Sequence, residues 1–511
     1  MKPIIKNLQF IVFALVIYSQ AFSQSFKLDV VDKYIEDARK DWRVPGMAVA
    51  IVKDGEIILE KGYGRLGWDN RNVVNEHTLF AIASNTKAFV ASALGVLADR
   101  GEIQWDNKVR KYLPRFAMYD EYVSEHITIR DLLCHRAGLG TFSGDVIWYK
   151  SERSATETIE KIKYIPQQYE FRAGYGYSNV MFITAGEVIK AVTGKAWDTF
   201  VKETFFEPLG MERTISSVGD LKAKENHASP HKKIGTQEKA IEWVNWDNMG
   251  AAGGIISSVH DMAQWLKLQL NHGILDKDTL LSPKQQNILW TPHNNYVLSE
   301  ASKQNLPGRN FSGYGLGWGL YDYYGNMVVT HSGGYDGMYS RVMMVPDLDL
   351  GIVILTNSMS GITAPLCYYI INSYIQKDTR DWSAKALEKA LANNQHQEEV
   401  EKRKAAKKEN TTTSVALSKY AGVYHDPMYG NLTVELDDEQ LYIQFEDAPL
   451  LSAQLKHWHY DTFEIVWENT HAWFDFGTIQ FLLGNNLEVE EIKFDVPNYD
   501  IFFEELHFIR N

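Results

Sequence analysis

The spacing of apolar positions changes character several times along the chain. Met47-Ala48-Val49-Ala50-Ile51-Val52 is an unbroken apolar run, Asp54-Gly55 follows, and Ile57-Ile58-Leu59-Glu60 is the next apolar segment. Asp-Gly supplies the positive-φ positions of a tight turn, so Gly46 to Gly64 is predicted to be a β-hairpin. Ser84 to Arg100 reads as a long, mostly apolar and therefore buried helix, stopped by Gly101. Thr128-Ile129-Arg130-Asp131 is a capping box opening a second helix, expected to run through Cys134 and end near Gly138. Val180 to Gly194 and His260 to Gly273 are the clearest helices of the middle. From Tyr314 the pattern turns to strands at Leu316–Tyr321, Met327–Thr330, Ser340–Val345 and Gly351–Thr356, and Tyr368–Gln376 closes the region as a helix. Strands at both ends with helices between them predict an α+β class: one antiparallel sheet flanked by helices, with a helical insertion.

Residues 381–410 have no Gly or Pro and few apolar positions, which reads as an exposed helical linker. Acidic residues interleave with Lys402-Arg403-Lys404, so that stretch is read as a solvated helix face. Beyond it, period-2 apolar sets recur at Leu432/Val434/Leu436, Leu441/Ile443/Phe445, Phe463/Ile465/Trp467 and Ile492/Phe494. They predict an all-β, barrel-like C-terminal domain. The expected division is 1–23 signal peptide, 27–378 first folded domain, 379–413 charged helical linker and 414–511 β-domain.

Composition narrows the functional classes. At 511 residues the chain exceeds one ordinary core. A net charge of −13 argues against a nucleic-acid-binding surface. Lys2 and Lys6, the apolar run Phe10–Tyr18 and the small-x-small segment Ala21-Phe22-Ser23 read as a cleavable secretory signal, too short for a stable membrane span. The expected location is therefore periplasmic or secreted. Only Cys134 and Cys367 are present, and nothing in the sequence requires them to pair. No zinc-type Cys/His spacing, HExxH, P-loop or GxSxG occurs, and no GxGxxG opens a βαβ unit, so no metal or cofactor is expected.

Chemistry concentrates in three short motifs. Ser84-Asn85-Thr86-Lys87 places a hydroxyl and an amine one helical turn apart, on one face. A serine needs a base within reach, and lysine can act as one only if burial lowers its pKa from ~10.4. The flanking Phe80–Ala83 and Ala88–Val90 would provide that burial. A second copy, Ser229-Pro230-His231-Lys232, lacks an apolar helical setting and is set aside. Tyr177-Ser178-Asn179 leads into a helix, whereas Tyr324-Gly325-Asn326 and Tyr429-Gly430-Asn431 read as turns in β regions. His331-Ser332-Gly333-Gly334 lies on or just past a strand, where an open edge could pair with substrate and donate an N–H to a reacting carbonyl.

With these motifs in this order, the chain resembles the serine β-lactamase-related hydrolases, in the branch of class C β-lactamases, serine D-Ala-D-Ala carboxypeptidases and esterases. The resemblance covers roughly Asp29 to Gln376 and extends to Ile127–Leu139, Glu207–Met211 and Gly250–Trp265. The C-terminal part resembles the lipocalin-like domain appended to some members. The resemblance implies that Ser84 is the nucleophile, that Lys87 and Tyr177 share proton handling, and that the N–H groups of Ser84 and Gly334 form an oxyanion hole. Asn179, His331, Ser332 and Gly333 would contact substrate, Asn179 also bonding Lys87. His331 stands where many β-lactamases carry lysine, which lowers the expectation of β-lactam turnover. The expected function is an acyl-enzyme serine hydrolase of the peptidase or carboxypeptidase type, acting on D-amino-acid peptides. The alternatives are an ester hydrolase or acyl transferase on the same site, and a catalytically silent ligand- or peptidoglycan-binding protein. A small peptide or ester substrate is the expected partner, and the β-domain is a candidate oligomerisation surface.

Overall fold

The computed structural model describes residues 26–234 and 237–511, so the expected signal segment lies outside the described residues. The hairpin forms as the sequence predicts: β1 (Gly46–Lys53) and β2 (Glu56–Gly64) meet at a turn where Asp54 and Gly55 adopt φ of 53° and 76°. Helices α1 (Leu28–Asp41), α2 (Thr86–Asp99), α3 (Asn179–Thr193), α4 (Val259–Leu270) and α5 (Thr363–Ile375) are the long ones that frame the sheet and the cleft. The remaining sheet strands are β3 (Asn294–Asn295), β4 (Ser312–Tyr314), β5 (Gly319–Tyr323), β6 (Asn326–Tyr335), β7 (Met338–Val345) and β8 (Leu350–Thr356). They form one eight-stranded antiparallel sheet in the order β2-β1-β8-β7-β6-β5-β4-β3.

Both faces of this sheet are covered, which explains why Met47–Val52 is continuously apolar rather than alternating. Met47, Val49 and Ile51 face a layer built from Val31 and Ile35 of α1 and Leu366 and Ile370 of α5. Ala48, Ala50 and Val52 face the other layer, with Phe89 and Leu94 of α2 and Met262 and Leu266 of α4. The helical insertion fills the second layer and sets the floor of the cleft.

Some boundaries differ from the sequence reading, for physical reasons. The capping box at Thr128 and Asp131 is present, but its helix ends at Leu133. Cys134 caps it, and His135 turns into the left-handed region at φ 59°, so the chain leaves the helix well before Gly138. Strand β6 continues through His331-Ser332-Gly333-Gly334, and the turn comes later, with Gly337 at φ 81°. The linker holds two helices, Trp382–Ala392 and Gln395–Ala405, and is not wholly exposed. Trp382 stacks on Tyr368 and Val400 clusters with Trp458 and Phe476. Cys134 and Cys367 are both buried free thiols.

The C-terminal region is a closed eight-stranded antiparallel barrel, β9 (Gly422–Asp426), β10 (Gly430–Asp437), β11 (Gln440–Phe445), β12 (Ala448–His459), β13 (Thr462–Trp467), β14 (Thr478–Leu483), β15 (Val489–Asp495) and β16 (Phe508–Arg510). Leu432, Val434, Leu441, Ile443 and Phe445 point inward as their period-2 spacing requires. The barrel seats on the first region through Lys232, whose amine bonds His471 O and Asp475, and through Lys150, whose amine meets His471 Nδ1 at 2.9 Å. The Ser229-x-x-Lys232 repeat of the motif is thus a docking point. No helix among the described residues is long and apolar enough to cross a membrane.

Candidate active site

Ser84 sits where a short strand, Phe80–Ala81, turns into α2 through a 3-10 turn at Ala83–Asn85. The turn is sharp because Ala83 takes φ 46°, a left-handed conformation that costs a residue with a Cβ about 1–2 kcal/mol. Alanine carries the smallest such side chain, and here it is fully buried. The result lifts Ser84 out of the core, half-buried, while its neighbours Ala83 and Asn85 are buried.

Lys87 lies one turn on and is fully buried. Its Nζ lies 3.1 Å from Ser84 Oγ, 2.7 Å from Asn179 Oδ1 and 2.7 Å from Ala252 O. The two carbonyl oxygens can only accept. They therefore take two N–H bonds, and in the neutral amine the lone pair is left facing the serine hydroxyl. Burial pushes the Lys87 pKa down to about 7, against the pull of Asp145. The sequence reading asked for this effect, and the apolar surroundings of α2 deliver it.

The Tyr177 hydroxyl hydrogen-bonds Ser84, and its ring lies 4.8 Å from Lys87 Nζ. Burial holds the phenol well above its usual pKa of 10.0, so it stays protonated at neutral pH. The segment is fixed from three sides. Tyr177 N–H donates to Thr141 Oγ1 at 3.1 Å, Phe142 N–H donates to Tyr177 O at 2.8 Å, and Ser178 N–H donates to His135 Nδ1 at 3.0 Å. Tyr324 and Tyr429, the other two tyrosines with this spacing, are remote: Tyr324 is in a turn at φ 48° and Tyr429 is buried in the barrel.

Strand β6 passes in front of Ser84. Its pairing with β5 stops at Thr330↔Gly319, while pairing with β7 continues to Tyr335↔Met338. Residues 331–334 thus have one ladder edge free toward the cleft. A Cβ on Gly333 would lie 2.2 Å from Ile82 O and 2.9 Å from Ser84 N, so only glycine allows the strand this close. Gly333→Ala is therefore expected to push β6 off Ser84, cutting turnover at least tenfold and costing ~1–3 kcal/mol of stability. Wild-type turnover and an unmoved denaturant midpoint would show that the contact is not needed.

His331 does not offer a charge. Its Nε2 is 2.8 Å from Tyr314 Oη and its Nδ1 is 2.7 Å from Ser332 O. Ser332 O can only accept, so Nδ1 carries the proton and Nε2 accepts from the tyrosine. Burial, with Lys87 nearby, pushes its pKa down to about 3, which keeps the imidazole neutral.

The cleft has a volume of about 270 Å³ and brings together Ser84, Tyr177, Asn179, His331, Ser332 and Gly334. It also exposes residues that the motifs do not announce. Asp145 Oδ2 accepts from Asn179 Nδ2 at 2.7 Å and Asp145 Oδ1 accepts from Trp148 Nε1 at 2.9 Å. Asn179 is therefore clamped between Lys87 and Asp145, with one N–H left for other use. Burial raises Asp145 to about 8. Trp473 and Asp500 come from the barrel. A Cβ on Gly334 would lie 3.2 Å from the Trp473 ring, so that ring covers the strand beside Ser84. Nothing local marks Asp500.

Comparisons with known proteins give the family and the fold. Residues 31–367 match the Beta-lactamase family, and residues 406–510 match a domain of unknown function (DUF3471). An unguisins hydrolase of Aspergillus campestris is 29% identical over 440 residues, covering 80% of this chain and 78% of that protein. Among solved structures, the octameric penicillin-binding protein homologue of Pyrococcus abyssi has a TM-score of 0.61 at 18% identity and covers 95% of this chain and 100% of its own. SurE with D-Leu has a TM-score of 0.52 at 18% identity, covering 94% and 99%. The family match spans well over half of the chain, so this protein belongs to the Beta-lactamase family and is a serine hydrolase built on a penicillin-binding-protein-like fold with a C-terminal barrel.

Proposed function

We propose that the protein hydrolyses amide bonds of short peptides, those containing D-residues first among them, through an acyl-enzyme on Ser84. The observation that carries this reading is the Lys87 amine. It is buried, bonded to two acceptors and left with its lone pair on Ser84 Oγ. Ser84 Oγ attacks the carbonyl carbon and its proton passes to Lys87 Nζ. The oxyanion develops against the N–H groups of Ser84 and Gly334. The C–N bond breaks as the amine leaves with a proton delivered through the Tyr177 hydroxyl. Water then adds to the ester, its proton returning by the same route, and the acid is released with Ser84 restored. Tyr177 stays a phenol throughout the neutral range, which makes Lys87 the resting base and Tyr177 the donor and relay.

Support from outside the chain is consistent in kind: one relative is named as an unguisins hydrolase, and one fold neighbour was solved with D-Leu. A cation beside the substrate carboxylate would favour a carboxypeptidase. Lys87 is engaged, His331 is neutral, and no other Lys or Arg lines the cleft among the described residues. The amide-hydrolase reading therefore stands without strict action at the carboxyl end.

The test is a panel of p-nitrophenyl esters, D- and L-amino-acid p-nitroanilides and a chromogenic cephalosporin, run on purified enzyme. Esters and D-residue anilides should turn over, and the cephalosporin slowly if at all. Cephalosporin turnover alone would overturn the assignment. Tyr177→Phe should lower anilide turnover by roughly 10²–10⁴-fold, the span of general acid–base catalysis. Tyr324→Phe and Tyr429→Phe should leave turnover intact. Activity that survives Tyr177→Phe but not either control would remove Tyr177 from the mechanism.

A further inference from the structure

The connection between β15 and β16 carries Asp500 and Ile501 into the wall of the Ser84 cleft. The connection is held rigidly. Asn498 Nδ2 donates to Val496 O at 2.8 Å and Ile501 O at 2.7 Å, and the backbone N–H groups of Asp500 and Ile501 donate to Asn498 Oδ1 at 3.0 and 2.6 Å. Ile501 is buried, and Glu505 accepts from Ser143 Oγ and from Gly144 N–H, tying the barrel to the loop that bears Asp145. The Asx turn at Asn498 and the Glu505 contacts hold the backbone of this connection against the first region.

The neighbouring buried carboxylate is already satisfied. Asp336 accepts from Tyr149 Oη at 2.8 Å, from Trp246 Nε1 at 3.1 Å and from the Trp473 indole. Asp500 is different. No hydrogen bond or ion pair reaches its carboxylate among the described residues, and burial with Asp336 nearby raises it only to about 6, so it is charged at neutral pH. Trp148, Trp246, Trp473 and Tyr339 line the cleft with it, and no Lys or Arg does so among the described residues. An anion in an aromatic cleft without a partner is suited to one that arrives with the substrate.

The end of the cleft it serves follows from its neighbours. Asp500 acts electrostatically on Asp145, which clamps Asn179, and on Tyr339, which pairs with Gly334 across the strands. The proton donor to the leaving group, Tyr177, sits beside His331 and His135, its ring 6.1 Å and 4.3 Å from theirs, and is not among the groups that act on Asp500. With the leaving group at the Tyr177 end, the acyl portion extends toward Asp500. We propose that Asp500 binds the protonated amine of the acyl residue, so that this enzyme takes substrates with a free amino terminus at the scissile bond and acts from the amino end of a peptide. This rests on the acyl-enzyme reading of Ser84. The partner is a primary ammonium on an apolar residue, and the barrel supplies the group that recognises it.

The experiment compares kcat/KM for a D-leucine p-nitroanilide with that for its N-acetyl derivative, in wild type and in Asp500→Asn, with p-nitrophenyl acetate and a fluorophosphonate probe as reporters of Ser84. The wild type should prefer the free amine by roughly tenfold to a hundredfold, the span of one charge-assisted hydrogen bond. In Asp500→Asn that ratio should fall toward one, mostly through KM. A wild-type ratio at or below one, with acetate hydrolysis and probe labelling intact, overturns the assignment of Asp500 and leaves the Ser84 mechanism standing. Loss of acetate hydrolysis and labelling in the wild type would instead sink the mechanism. Asp500→Glu, which keeps the charge, should retain a preference for the free amine; if it behaves like Asp500→Asn while labelling at the wild-type rate, charge is not what is read.

Discussion

Ser84→Ala is expected to abolish hydrolysis of esters and anilides, by roughly 10⁴-fold or more in kcat, while leaving the fold in place. The size follows from the chemistry. Without Oγ there is no acyl-enzyme, and what survives is the small contribution of the oxyanion donors and of binding. The fold should persist because Ser84 is half-buried and at a helix start, so that a methyl replaces a hydroxyl that bonds Lys87 and Tyr177. The strained residue is the preceding one, Ala83, and it is unchanged. A fluorophosphonate should label the wild type at the peptide containing Ser84 and leave the variant unlabelled. Labelling at Ser229, or a Ser84→Ala enzyme with wild-type turnover, would sink the assignment.

Asp54-Gly55 predicted a turn, Thr128 and Asp131 predicted a cap, and period-2 spacing from Leu432 to Phe445 predicted inward-facing strands, because each feature is decided within a few residues. The Ser84/Lys87 pair was visible for the same reason: one helical turn brings the two together. Selection of Tyr177 over Tyr324 and Tyr429 needed only the sense that a helix follows it. What stayed hidden depends on contacts between distant segments. Gly333-Gly334 looks like the end of a strand, and only the approach of Ile82 explains why glycine stands inside one. The end of the capped helix was misplaced because His135 is turned left-handed by contacts with Ser178 and the surrounding rings. Asp145 and Asp500 are single carboxylates in loops. Nothing in their neighbours distinguishes them from solvated turn residues until the fold sets one behind Asn179 and the other across the cleft. The linker looked fully exposed because Trp382 and Val400 are isolated apolar positions whose partners, Tyr368 and Trp458, are far away in sequence.

Lys87 should set the acid limb of the pH–rate profile. Burial lowers its pKa to about 7, so below that pH the amine gains a proton and loses the lone pair that faces Ser84. With a neutral p-nitrophenyl ester, whose own charge does not change over the range, kcat/KM should fall tenfold per pH unit below about 7 and level off above it. Tyr177 adds no limb near neutrality, since its phenol stays protonated well past that range. Lys87→Met removes the base but keeps a chain that fills the same buried space. It should lower kcat/KM by about 10³-fold, within the usual span for general base catalysis. Its remaining rate should lose the limb near 7 and rise instead with hydroxide. Ala252 O and Asn179 Oδ1 each lose a donor in the variant, so circular dichroism and the thermal midpoint must accompany the kinetics. A folded Lys87→Met enzyme with near wild-type turnover, or a wild-type acid limb at pH 4–5 rather than near 7, would transfer the role of base from Lys87 to another group.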